Sequence, residues 1–334
     1  MKVSDIAKKA NVSSMVASRV LHGLPSVKTS DRKRVEEVMA GMKLNAVISP
    51  IKKRKAGKVF GIIIPRFEDI FHSYYATEVI KGVVLSASRL KLDIILHVSE
   101  RQKHEDWLTS NALSPDYIDG ILFADINGDK QQLKRVLTRK VPCVVLNNSF
   151  EKEPINSIAI DNFKAAYDVT KYLIKLGHNK IATIAGDLST EAGKRRLDGF
   201  KAAMKDNNIR LSTQYMTVGH FLRSPSRKAA EQLLSLKESP TAIFAASDVM
   251  AMEAMDVIRK KGLNIPGDIS IVGFDDNPLS SYSSVPLTTV WQPIAEMGRM
   301  GVESLNQIIT GNKREPVKVL LKTKLIERKS CAKI

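Results

Sequence analysis

Val3–Leu21 reads VSDIAKKANVSSMVASRVL, and this stretch decides what the N-terminus of the chain is. Ile6, Ala7 and Ala10 recur three and four residues apart, with Lys8 and Lys9 facing away, which predicts a short amphipathic helix. Asn11 can take a left-handed turn conformation at modest cost. Val12 then points inward, Ser13 is placed as an N-cap, and Val16, Ala17, Val20 and Leu21 form the apolar stripe of a second helix. Two helices joined this tightly make either an ordinary helical hairpin or a helix-turn-helix, whose second helix enters the major groove of DNA.

The charge distribution favours the DNA reader. The 334-residue chain carries a formal charge of +17, and residues 1–60 hold fourteen Lys/Arg against four Asp/Glu. More than half of the excess therefore sits in less than a fifth of the length, on the segment with the helical pair, as expected of a nucleic-acid-binding unit. The length leaves room for a large core behind a small headpiece. No apolar run approaches the ~18 residues of a membrane helix, and no secretory leader precedes the first helix, so a cytoplasmic location without membrane contact is expected. Cys143 and Cys331 lie far apart without CxxC or Cys/His spacing, which argues against a zinc site and a disulfide framework.

A third helix is expected from about Thr29 to Met42, burying Val35, Val38, Met39 and Met42, with Arg32, Lys33 and Arg34 near its start. Asn45–Lys58 is dense in cations and reads as a linker, with Ser49 and Pro50 placed to begin a short helix. From Val59 the texture changes. Strand signals at Val59–Pro65, Leu92–Val98, Asp119–Ala124 and Cys143–Asn148 alternate with helical lengths, one of them at about Tyr75–Leu90. A second series opens near Asn156, with strands at Ser157–Ile160, Ile181–Gly186, Ala242–Ala246 and Ile269–Phe274. Helices are expected within it over about Ala165–Leu176, Arg195–Asp206 and Val249–Lys261. Such alternation means doubly wound parallel sheets, and two series mean two α/β lobes with ligand contacts in the cleft between them.

Enzymatic signatures are missing from this pattern. Pro65-Arg66-Phe67 stands where a Gly-rich phosphate loop would follow the first strand, and no GxSxG or HExxH occurs. His72, His97, His104, His178 and His220 lack metal spacing. The expectation is a non-enzyme without cofactor or metal.

Taken together, these residues resemble the lactose/galactose repressor (LacI/GalR) family of bacterial transcription regulators over nearly the whole chain. The family opening D-V-A-x-x-A-G-V-S-x-x-T-V-S-R-V-L-N appears here as D-I-A-K-K-A-N-V-S-S-M-V-A-S-R-V-L-H. Asp119–Gly120, Ile160–Asn162, Gly177–Gly186, Arg195–Phe200, Ser247–Ala251, Ile265–Asp276 and Pro286–Pro293 are similar to family segments in order and spacing. The resemblance implies a homodimer whose paired headpieces bind double-stranded operator DNA. It also implies a periplasmic-binding-protein-like core that senses a small molecule, a sugar or sugar derivative.

On that resemblance Ser14 and Met15 occupy base-reading positions, Arg19 is placed for bidentate contact with guanine, and Met15 suits a thymine methyl. Ser4, Ser13, Ser18, His22, Thr29 and Arg32 are phosphate or capping residues. Val16 stands where the family has Thr. The linker departs from the family's Tyr-x-Pro-Asn segment and wedge Leu, carrying Leu44-Asn45-Ala46-Val47, then Pro50 and a cationic run. Ile51 is the available apolar wedge, and Lys52, Lys53 and Arg54 are phosphate ligands. In the core, Arg196 and Asp275 pair a charged donor with a charged acceptor suited to vicinal hydroxyls. Asn147 matches a family polar contact, and Ser247 replaces the family's Asn. Phe71, Tyr74, Tyr75, Phe221 and Trp291 are candidates to stack on a sugar face, whereas Asp161 and Asp248 read as caps or turn residues.

The expected division is a headpiece at 1–44, a basic hinge at 45–58 and a two-lobed core at 59–334. Its N-lobe is about 59–155 and 287–320, and its C-lobe about 156–286 and 321–330. The functional expectation is a repressor of carbohydrate-utilisation genes controlled by a ligand in the interlobe cleft. The alternatives are control by a protein partner and a cytoplasmic sugar receptor.

Overall fold

The computed structural model describes residues 3–21, 27–41, 58–66, 73–100, 117–125, 137–138, 141–150, 153–312 and 316–334. The chain divides into two compact units, Met1–Gly57 and Lys58–Ile334. In the first, helices α1 (Val3–Lys9), α2 (Ser14–Leu21) and α3 (Thr29–Gly41) follow the apolar pattern of the sequence. Ile6, Ala10, Val20 and Val35 form the buried centre, with Val12, Leu21, Val38 and Met39 packed around it. The buried stripe of α3 is thus as expected from Val35 to Met39, while Met42 lies outside the described residues.

The larger unit holds two parallel sheets. The first has the order β11-β5-β4-β3-β1-β2, built from β1 (Val59–Arg66), β2 (Asp93–Glu100), β3 (Gly120–Phe123), β4 (Cys143–Leu146), β5 (Ser157–Ile160) and β11 (Lys318–Leu321). The second has the order β7-β6-β8-β9, from β6 (Ile181–Ala185), β7 (Met216–Val218), β8 (Ala242–Ala245) and β9 (Ser270–Val272). The central strands are buried along their whole length, as near-continuous Val/Ile/Leu runs covered on both faces require. A short antiparallel pair, β10 (Thr289–Trp291) with β12 (Lys324–Ile326), lies outside both sheets.

Among the described residues, the helices of this unit are α4 (Tyr74–Leu90), α5 (Asn162–Lys175), α6 (Glu191–Asp206), α7 (Arg223–Leu233), α8 (Asp248–Lys260), α9 (Leu279–Tyr282) and α10 (Ile294–Ile309). Four of them begin on a side-chain cap. Ser73, Asp161, Thr190 and Ser247 accept from the backbone N–H three residues on, which makes Asp161 the cap expected of it.

One lobe boundary differs from the sequence reading. The sequence pattern puts Ser157–Ile160 at the start of the second lobe, yet β5 sits inside the first sheet between β4 and β11. The side chain of Asn156 fixes it there, donating to the Cys143 carbonyl and accepting from the Val317 N–H, both at 2.9 Å. Leu321, assigned to the second lobe, likewise ends β11 of the first sheet. The chain therefore passes between sheets after β5, around β10 and after β11, where the Ile271 N–H donates to the Ser330 carbonyl.

Among the described residues, no helix is long and apolar enough to cross a membrane. Helices α4 and α10 cross at a glycine: a Cβ on Gly82 would lie 1.8 Å from the Ala295 carbonyl oxygen. Gly82→Ala is therefore expected to lower the urea midpoint. Overpacking against backbone costs about 1–3 kcal/mol, more than the ~1 kcal/mol gained in helix propensity. An unchanged midpoint would contradict the close approach.

Candidate functional site

The headpiece presents one polar face. Asn11, at φ 51°, makes the left-handed turn, and the Val12 N–H returns to the Ala7 carbonyl at 3.0 Å. Ser13 caps α2, its Oγ accepting from the Val16 N–H at 3.2 Å. With Ala17 and Val20 turned inward, Ser14, Met15 and Arg19 are exposed and Ser18 is half-buried beside them. Met15 is 66% exposed, a long apolar side chain with no core role. Ser4 and Thr29 are exposed and Arg32 is half-buried. His22, Ile51, Lys52, Lys53 and Arg54 lie outside the described residues, as does Phe71 of the expected ligand set.

In the larger unit a cavity of about 320 Å³ opens at the C-terminal ends of strands from both sheets, where ligands of doubly wound folds bind. Its innermost feature is Arg196, projected from α6 and only 3% exposed. Nε donates to Asn162 Oδ1 at 2.8 Å, and Nη1 donates to the Ala246 carbonyl at 2.7 Å. Nη1 also stands 3.8 Å from Asp275 Oδ1, and the guanidinium lies 3.6 Å from the Phe274 ring centroid. Burial pulls the Arg196 value down to about 10, so the group stays charged at neutral pH. Burial likewise pushes Asp275 up to about 7, against the opposing charge of Arg196, while the neighbouring Asp248 raises it further.

Around this pair, Gln292 Nε2 donates to Asp275 Oδ1 at 2.6 Å. Its other amide atom, Oε1, and Oδ1 of Asn147 are buried without a partner among the described residues. Both side chains line the cavity. Unpartnered buried acceptors cost free energy unless something supplies a donor. Tyr74 and Tyr75 line the wall from α4, their hydroxyls donating to the carbonyls of Asp276 and Ala124. Burial is the main reason that both phenols are held protonated.

Phe221 enters from a loop in which His220 and Phe221 both have positive φ, 56° and 59°. Its ring lies where a Cβ on Gly186 would be, 2.0 Å from Cζ. Consecutive left-handed residues are strained, and such strain persists where the surroundings enforce a functional placement. Ser247 lines the cavity, but its Oγ already accepts the Met250 N–H at 3.3 Å.

Seven of the nine sequence candidates thus meet at one cavity: Tyr74, Tyr75, Asn147, Arg196, Phe221, Ser247 and Asp275. Trp291 does not line it. On β10 alternate side chains take opposite sides; the Trp291 ring faces Lys324 of β12 at 5.5 Å, while the next residue, Gln292, enters the cavity. Asp248 is a structural carboxylate, fully buried and accepting from the Asn277 N–H and the Ser280 and Thr289 hydroxyls. Sequence reading missed Asp125, Arg223, Glu253, Asn277 and Gln292. Asp125 follows directly on the strand signal Asp119–Ala124, which could have marked it, and Gln292 falls within the family-like segment Pro286–Pro293. No cluster of metal-ligating residues occurs among the described residues.

Comparison with known proteins agrees with both halves. The family described as "Bacterial regulatory proteins, lacI family" matches residues 2–44, and a periplasmic binding protein-like domain matches residues 170–331. The chain is 32% identical to catabolite control protein A of Priestia megaterium over 308 residues, 91% of each protein. A complex of the transcriptional regulator CelR with cellobiose superposes with TM-score 0.77, at 26% identity over 99% of both chains. The lac repressor dimer bound to operator and the anti-inducer ONPF gives TM-score 0.75, at 27% identity over 99% of both.

The raised value of Asp275 has a measurable consequence. A carboxyl whose folded value lies above its ordinary 3.8 stabilises the fold fully below that value and loses the contribution as pH rises through about 7. Asp275→Asn is therefore expected to gain stability relative to the parent, by about 1 kcal/mol or more, between pH 5 and 8. A difference in urea-unfolding free energy that stays flat across this window would show that Asp275 is not held in its neutral form by the site.

Proposed function

The chain belongs to the LacI family of bacterial regulatory proteins, and from that premise we propose that it is a sequence-specific DNA-binding transcriptional repressor controlled by a carbohydrate in the core cavity. The family is one of transcription regulators, not enzymes. The observation that carries the ligand reading is the inner cluster: Arg196 and Asp275 beside two unpartnered amide oxygens, Asn147 Oδ1 and Gln292 Oε1. Sugar hydroxyls both donate and accept, so one ring can satisfy the orphaned oxygens while accepting from Arg196 Nη2, which has no partner among the described residues. Phe221 and the tyrosines supply flat surfaces for the apolar face of the ring.

On the DNA side, Ser14, Met15 and Arg19 form the reading edge of α2, and Ser4, Ser13, Ser18, His22, Thr29 and Arg32 serve as phosphate or capping residues. Ile51, Lys52, Lys53 and Arg54 take the hinge role, in a division of headpiece 1–44, linker 45–58 and core from 59. The regulator acts as a homodimer. Exposed apolar side chains on α4 and β2, including Val84, Leu85, Leu96 and Val98, support a second copy as the partner of that face. Ligand binding biases one of two core states, and operator affinity changes through the differential affinity of those states.

In mobility-shift titrations against the promoters of adjacent genes, binding is expected to be specific and to weaken steeply with salt. Arg19→Ala should remove most of the operator preference, a loss of about 1–3 kcal/mol at the base pair it reads; binding no different from random DNA in the parent protein would overturn the repressor reading. For the cavity, a carbohydrate that raises the Tm of the parent should leave Arg196→Ala unmoved. An undiminished shift in that variant would place the ligand elsewhere.

A further inference from the structure

We propose that the cavity has an outer subsite, formed by Arg223 and Glu253, which takes the second unit of a neutral disaccharide or comparable glycoside. This rests on the carbohydrate reading above and extends it from one ring to two. Exposure separates two ends of the cavity. The inner side chains of Arg196 and Asp275 are 4% and 13% exposed, whereas Arg223 is 72% exposed, and it also lines the cavity. The outer end repeats the inner chemistry: Arg223 Nε donates to Glu253 Oε1 at 2.7 Å, and Glu253 is itself buried, its side chain 7% exposed.

Helix α8 connects the two ends. It starts at the Ser247 cap, next to the Ala246 carbonyl that holds Arg196, and Val249, Met252 and Glu253 face the cavity at helical spacing. Six residues separate Ser247 from Glu253, about 9 Å along the axis, which leaves room for a second ring beyond one seated against Arg196 and Asp275. Val249, Met252 and Leu279 offer that ring an apolar wall.

The outer pair is prepared for ligand. Arg227 bonds Glu253 Oε2 and Asp256, and Lys260 holds Asp256, so the carboxylate is fixed from behind. The terminal Nη groups of Arg223 have no partner among the described residues. An Arg–carboxylate pair offers donors and acceptors together, the requirement for vicinal hydroxyls. The carboxylates of Asp125 and Glu253 already match the guanidiniums of Arg196 and Arg223 around the cavity, before any charge on Asp275, so an anionic substituent finds no net attraction.

Isothermal titration of the full-length protein tests this with cellobiose, maltose, trehalose, lactose and sucrose against their component monosaccharides and glucose 6-phosphate. At least one disaccharide is expected to bind about tenfold or more tightly than its components. In Arg223→Ala and in Glu253→Gln that ratio should collapse towards one; the exposed Arg223 makes the first variant safe for folding. A monosaccharide or the phosphate binding as tightly as any disaccharide, or a ratio unchanged in both variants, overturns the outer subsite and leaves the carbohydrate reading standing. If no sugar in the panel binds, both readings fall.

Discussion

The core is organised around a guanidinium almost out of reach of water. Burying an unpaired charge costs several kcal/mol, so Arg196 can exist at 3% exposure only if every neighbour is in place. Those neighbours come from four separate parts of the chain. Asn162 opens α5 just after the first crossing between sheets, and Ala246 ends the strand region of β8. Phe274 and Asp275 follow β9, and Gln292, bonded to Asp275, follows β10 at the second crossing. A single side chain from α6 thereby ties together the segments on which the two sheets meet.

This constraint explains why the cavity and the crossings between sheets coincide. A molecule that bonds Arg196, Asp275 and the unpartnered oxygens of Asn147 and Gln292 touches residues on both sides of those crossings. It can therefore stabilise one arrangement of the two sheets over another without reaching either sheet's core. Further contacts join the same segments, among them the Ser149 N–H and hydroxyl donating to Glu191 at 2.9 and 3.0 Å. Coupling to DNA needs the two arrangements to differ in operator affinity as well as in ligand affinity.

The helical pair at the N-terminus was legible because 3.6-residue periodicity, a turn-forming Asn11 and a capping Ser13 all act within a few residues. Eight strands of the two sheets were legible as apolar runs for the same local reason, whereas β7 and β11, at the sheet edges, gave no such signal. Sheet membership was not, because β5 is assigned by Asn156 reaching Cys143 and Val317, contacts that no local pattern announces. Charged ligand candidates were read from the family-like segments around Arg196 and Asp275. Trp291 drew the eye as an aromatic, yet strand alternation turns its neighbour Gln292 inward instead. Glu253 carries no local signal, since only the packing of α7 beside α8 brings Arg223 and Arg227 to it.

Under the proposed regulation, the cavity and the headpiece report on one shared equilibrium. Thermodynamic linkage makes this testable without knowing the structure of either state: the factor by which operator DNA changes sugar affinity must equal the factor by which sugar changes operator affinity. The direct measurement is calorimetric titration of the binding sugar into the full-length protein, with and without saturating operator duplex. A change of about fivefold or more in sugar affinity is expected, equal to the factor by which the sugar changes operator affinity. Sugar affinity unaltered by operator would contradict it.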